Sequence, residues 1–143
     1  NIDYLSLEKI EVPGHVKWVE KRNPELYSSL HEDWESEGFY YYEINTTGDA
    51  TKRYEYMAER ISEVMPLETG QIIDDHEVRL KGWIYHAAEA DMMEHWPEAI
   101  YMVKKGCALS FTFESPSALA MRHRVASHSA AVNSLLDYMY EES

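Results

Sequence analysis

At 143 residues, with 45% hydrophobic and 27% charged side chains, the chain has the size and composition of one globular domain with a buried core. Its formal charge of −13 sets it against phosphate-rich partners, so neither nucleic acid nor an anionic membrane surface is expected to bind. A single cysteine excludes an internal disulfide; no apolar run reaches membrane-spanning length and no signal peptide is visible, which gives a cytoplasmic expectation.

Taken in chain order, residues 11–23 predict a short helix that Pro13 opens and Asn23-Pro24 stops, with Val16 and Val19 facing inward. Residues 26–30 and the tyrosine-rich 39–44 predict short strands. Thr46-Thr47-Gly48-Asp49 makes a turn, and Asp49 is placed to cap the next helix, over 51–65. Tyr54, Met57, Ile61 and Val64/Met65 share one face of that helix, and Pro66 ends it. Residues 67–90 are less regular, with short extended pieces at Ile72-Ile73 and Arg79-Leu80 around Asp74-Asp75-His76. Residues 87–95 predict a helix broken at Trp96-Pro97. Residues 108–114 form the clearest strand, and Cys107 just before it reads as a buried thiol. Ser115-Pro116 then reads as an N-cap and N1 proline. The helix they open carries Val125, Val132, Leu135 and Met139 at near-heptad spacing. Alternating helices and strands, with no repeat and no linker, predict a single α/β domain over 1–143.

Two segments carry chemistry. Ser29-Leu30-His31-Glu32-Asp33-Trp34-Glu35 puts an imidazole at a predicted strand end, where α/β enzymes collect ligands and catalytic groups. Ala108-Leu109-Ser110-Phe111-Thr112-Phe113-Glu114 is an apolar, aromatic run that delivers one carboxylate to its far end. A neutral imidazole can ligate zinc, and a glutamate can take a proton from metal-activated water, so the two suit metal-assisted hydrolysis. Each also has a plainer reading, His31 as a hydrogen-bonded histidine and Glu114 as a surface carboxylate. Pleating sends Glu32 and Asp33 to opposite faces, so they do not act as one pair, though with Glu35 they can orient the imidazole. Tyr85 can donate a hydrogen bond to a substrate or simply pack. His86/Glu89 and His95/Glu98, three apart, and the poorer pair His123/His128 read as solvated helix faces before they read as ligands. Arg122 and Arg124 read as helix-surface charge that could also attract a substrate carboxylate. Tyr40, Tyr41 and Tyr42 alternate across a strand as core and rim.

Together these segments resemble the zinc carboxypeptidase (funnelin) family and its amidase and deacylase relatives, over most of the chain from about Leu26 onward. In that family a Ser-Leu-His strand end supplies the third zinc ligand, and a Phe-Thr-Phe-Glu strand end carries the general base. The resemblance implies His31 as a Zn2+ ligand, Glu114 as the base and Tyr85 as the mobile tyrosine that precedes the base strand. It implies a mixed central sheet flanked by helices and hydrolysis of a C-terminal amide bond in a peptide or small amide substrate. The family's upstream His-x-x-Glu is absent: the only matches, His86-Ala87-Ala88-Glu89 and His95-Trp96-Pro97-Glu98, lie downstream of His31. The chain therefore reads as the C-terminal part of a longer catalytic domain, whose N-terminal half supplies two further zinc ligands. A deacylase of small N-acyl amino acids is the alternative enzyme, and a binding module that has lost its metal site is the alternative outside enzymology.

Overall fold

The computed structural model describes Tyr4, Leu7 and residues 10–48, 50–89 and 95–141. Along the chain run α1 (Glu11–Val19), β1 (Leu26–Asp33), β2 (Tyr40–Asn45), α2 (Thr51–Ser62), β3 (Ile72–Ile73), β4 (His76–Glu77), β5 (Trp83–Tyr85), α3 (Glu98–Lys104), β6 (Leu109–Pro116) and α4 (Met121–Glu141). Four strands form one sheet in the order β1-β6-β2-β5, and β3 and β4 pair separately. β1 runs parallel to β6 and β2 parallel to β5, whereas β6 and β2 are antiparallel. The expected mixed α/β sheet flanked by helices is what forms.

The pleat sorts the side chains into two layers. Leu109, Phe111 and Phe113 of β6, Tyr41 of β2 and Trp83 of β5 face α2 and α4, and pack on Met57, Ile61, Ala131 and Leu135. Each Leu, Ile, Phe or Met side chain among them contributes about 1.5–3 kcal/mol when fully buried. α4 buries Ser127, Ala131 and Ser134 beside Leu135, so small side chains let it lie close to α2 and the sheet. Val125 stays 54% exposed and Val132 and Met139 are only partly buried, so the near-heptad row is the shoulder of this face and not its centre. On the other side of the sheet, α1 buries Val12, Val16 and Val19 against Tyr4, Tyr101, Met102 and Cys107. Cys107 is the buried thiol expected, its Sγ 3.1 Å from the Leu109 carbonyl.

Several boundaries move. β1 and β6 each run past the predicted ends, so His31 and Glu114 sit within strands, two residues short of their last members. Ser115 and Pro116 open no helix; they remain paired with Glu32 and Asp33. A proline is tolerated here because β2 pairs with β6 only as far as Glu114, so Pro116 has a partner strand on the β1 side alone among the described residues. Residues 86–89 and 95 are not helical, and the helix of this region, α3, begins after Pro97. The rest of the predicted 87–95 helix, and the proposed cap Asp49, lie outside the described residues. α2 ends at Ser62, with Met65 buried and Val64 exposed beyond it.

One junction fixes the loop after β1. Glu68 accepts the backbone N–H groups of Glu37 and Gly38 on Oε2, at 3.0 and 2.9 Å, and those of Thr69 and Gly70 on Oε1, at 2.7 and 3.1 Å. Burial alone would raise this carboxyl; the four donors outweigh it and hold it below its usual range. A Cβ on Gly38 would stand 2.5 Å from the Glu68 nitrogen, so only glycine fits there.

Candidate active site

The register of β1 and β6 sets His31 directly beside Glu114, and that of β6 and β2 sets Glu114 beside Tyr40. All three therefore leave the sheet on one face, with Asp33 two residues beyond His31 and Tyr42 two beyond Tyr40. His31 Nδ1 lies 3.5 Å from Glu114 Oε1; the imidazole is 40% exposed and the carboxylate 11%. The Tyr40 hydroxyl donates to Asp33 Oδ2 at 3.1 Å, and the Tyr42 hydroxyl to Asp74 Oδ2 at 3.0 Å. The β3–β4 hairpin thus brings Asp74 and His76 over the strand ends. His76 Nδ1 donates to the Asp74 carbonyl at 2.5 Å and His86 Nδ1 to the Ala87 carbonyl at 2.6 Å. Their rings, 4.9 Å apart, stand at Tyr42 as an aromatic wall.

Two clefts adjoin the pair. One, of about 500 Å3, is acidic: Glu114, Asp33, Glu35, Glu37, Glu68 and Asp74 line it with Tyr40 and Trp34. The other, of about 310 Å3, is lined by His31, Tyr42, His76 and His86 and by Ile44 and Ile100. Asp74 lines both, Glu114 only the first and His31 only the second. Burial, then the like charges of Asp33 and Asp74, push the Glu114 carboxyl up to about 7. Burial pushes His31 down, which favours the neutral imidazole. A carboxyl balanced near neutrality can both take and return a proton.

The remaining candidates fall elsewhere. Tyr85 is in register with Glu43, whose carboxylate pairs with Arg53 of α2 on the opposite face. Its hydroxyl donates to the Asn45 carbonyl at 2.8 Å, and its ring packs edge-on to Trp83. The structure thus brings His31 and Glu114 together and leaves Tyr85 behind the sheet, because a residue on β5 in register with Glu43 must share Glu43's face. Glu32 also faces backwards, pairing with Arg124, which removes Arg124 from the cleft. Arg122 stands in the exposed first turn of α4. His86 and Glu89 share no helix, and Glu89 pairs with Lys104. Glu98 opens α3, where Tyr4 donates to it at 2.8 Å and His15 stands 3.1 Å away.

Sequence reasoning missed Tyr40, Asp74, His76 and the wall role of His86. For Tyr40 a signal existed: in Tyr40-Tyr41-Tyr42, once the middle ring is core, the outer two must face the other side. For Asp74 and His76 none did, since a two-residue hairpin strand has no period to read.

Among the described residues no group of three or more His, Cys, Asp or Glu side chains is placed to hold a metal ion. His31 and Glu114 offer two donors where a catalytic zinc centre uses three protein ligands and an open position. These residues alone do not make a metal centre.

The same fold occurs in solved structures. The chain superimposes on crystal structures of putative metallopeptidases from Shewanella amazonensis SB2B (TM-score 0.74, 16% identity, 91% of this chain and 47% of that one) and Shewanella baltica OS155 (0.73, 19%, 91% and 47%). A third, from Shewanella denitrificans OS217, matches at 0.69 and 19% identity over 87% of this chain and 44% of that one. At these identities the likeness defines the fold. The chain spans about half the length of those proteins. No family model matches it, and no curated protein matches its sequence.

Proposed function

We propose that the chain carries the proton-transfer side of a metallopeptidase-like hydrolytic site, with Glu114 as the general base and His31 as one ligand of a zinc ion. The observation that carries this reading is the in-register pair itself, 3.5 Å apart at the junction of two clefts. In hydrolysis of an amide, Glu114 would take a proton as water adds to the carbonyl carbon, then return it to the nitrogen as the C–N bond breaks. The carbonyl becomes an acid and the leaving group an amine, so atoms and charge balance. The further metal donors, on this reading, belong to a segment outside these residues, in keeping with neighbours about twice as long. Removal of a C-terminal residue is the favoured reaction, and cleavage of a small N-acyl amino acid is its close variant. Cytoplasmic location belongs to the same proposal; among the described residues no helix is long and apolar enough to cross a membrane.

The test uses the protein as isolated from its natural source, with zinc measured by elemental analysis and hydrolysis by release of amino acid from N-acyl dipeptides. Glu114→Gln should lower turnover by about 100-fold or more while the zinc stays bound, and His31→Ala should lose the zinc. A protein that contains no zinc and cleaves no N-acyl dipeptide or N-acyl amino acid would be a binding module, and both assignments would fall.

A further inference from the structure

α4 lies behind the sheet, away from the clefts, and sets two side chains one turn apart against β1. Arg124 pairs with Glu32. His128 places Nε2 3.0 Å from the His31 carbonyl and 3.0 Å from Ser115 Oγ, which is itself 3.5 Å from that carbonyl. A carbonyl only accepts, so Nε2 carries the proton and donates to it. The ring is held edge-on to Phe39 at 5.5 Å, and Ser115 is fully buried. Ser115 follows Glu114 in the chain, and the carbonyl belongs to His31. One imidazole therefore touches both peptide segments that carry the cleft pair, from the far side of the sheet. Among the described residues β1 is an edge strand flanked by β6 alone, so within them its pose depends more on such ties than that of a central strand does.

We propose that His128 is a positioning residue for the cleft: by tying the His31 carbonyl to Ser115 it sets His31 Nδ1 towards Glu114 Oε1. Its consequence for catalysis rests on the proposed function, because misplacement by an ångström at a reacting group is costly; the tie itself does not. The structural role and the positioning role separate in the tautomer of His31, which the partner of one ring nitrogen selects. An ionised carboxylate only accepts, so with Glu114 charged and 3.5 Å from Nδ1 the proposal places the proton on that nitrogen.

Imidazole 15N–1H correlation spectra of the whole chain at a pH above about 7, where His31 is neutral and Glu114 is ionised, read this tautomer directly. The wild type should show the Nδ1–H form, and His128→Leu should shift His31 towards Nε2–H. His128→Gln, whose amide N–H reaches the same carbonyl, should restore it. If His128→Leu does not fold, Ser115→Ala removes the hydroxyl alone and should move the same signal in the same direction. An unchanged His31 tautomer in these variants, even with a lowered melting temperature, would reduce His128 to packing and overturn the proposal. Because no turnover is needed, an absence of hydrolytic activity would remove the proposed function and leave this result standing.

Discussion

Glu114 shows what one residue's surroundings can do. A carboxyl folded into this face costs more when charged than when neutral, first through burial and then through Asp33 and Asp74. Between its ordinary value of 4.5 and about 7, the unfolded chain has already released the proton that the folded chain keeps. Stability therefore falls as pH rises through that window, and the loss is complete above it. Glu114→Gln removes the charge with little change of shape. Its melting temperature should exceed that of the wild type at about pH 8, and the two should converge at about pH 4. A gap that does not change with pH would mean the carboxyl titrates as in water. Asp33→Asn should lower the Glu114 midpoint, seen in its side-chain 13C shift, by removing the like charge with the larger effect. The Tyr40 bond to Asp33 makes Tyr40→Phe the matching control, since it loses the hydrogen bond and keeps the charge.

At the scale of elements, β2 and α2 are joined by a buried ion pair, Glu43 with Arg53, under the ring of Phe111. Burial raises the Glu43 carboxyl and the Arg53 guanidinium draws it back. Removing one partner strands the other in the core, so Arg53→Leu should cost about 3–5 kcal/mol in chemical denaturation. Glu43→Leu added to it should recover most of that loss, because an apolar pair of similar size packs without a stranded charge. A double variant no more stable than the single one would show that the pair itself supplies the stability. This pair also marks the limit of what the sequence told. α1, α2, β6 and α4 were legible because each repeats its pattern over several residues, as Val12, Val16 and Val19 do in α1. β5 was not: Trp83-Ile84-Tyr85 is a strand only because Tyr41, Tyr42 and Glu43 lie alongside. α3 was hidden by Trp96-Pro97, which reads as a break yet stands directly before the first turn. Ser115-Pro116 erred the other way, local helix-start chemistry yielding to pairing with β1. His31 and Glu114 were named from their segments, whereas the face opposite Tyr85 could be known only from register. That register also makes Gly38 sensitive, since Gly38→Ala drives a methyl into the Glu68 backbone. It should lower stability by about 2–4 kcal/mol in denaturant titration, while Gly14→Ala, with open space around it, serves as the reference.

For the molecule as a whole, the −13 charge is unevenly spent. Glu35, Glu37, Glu68, Asp33 and Asp74 crowd the same cleft as Glu114, while the exposed pairs Lys104–Glu89 and Lys105–Glu20 are of the kind worth little in water. Self-repulsion should therefore outweigh the gain from surface pairs when charges are poorly screened. Raising the salt from about 0.01 to about 0.15 M shortens the screening length from about 30 to about 8 Å, which relieves like charges across a cleft and weakens exposed pairs only slightly. The melting temperature should rise over that interval. Replacing Glu35 and Glu37 by glutamine should raise it at low salt and change it little at high salt, because the same repulsion would already be gone. A melting temperature that falls with salt would mean that attractive pairs dominate. The acidic cleft would then be a bonded network and not a strained field beside Glu114.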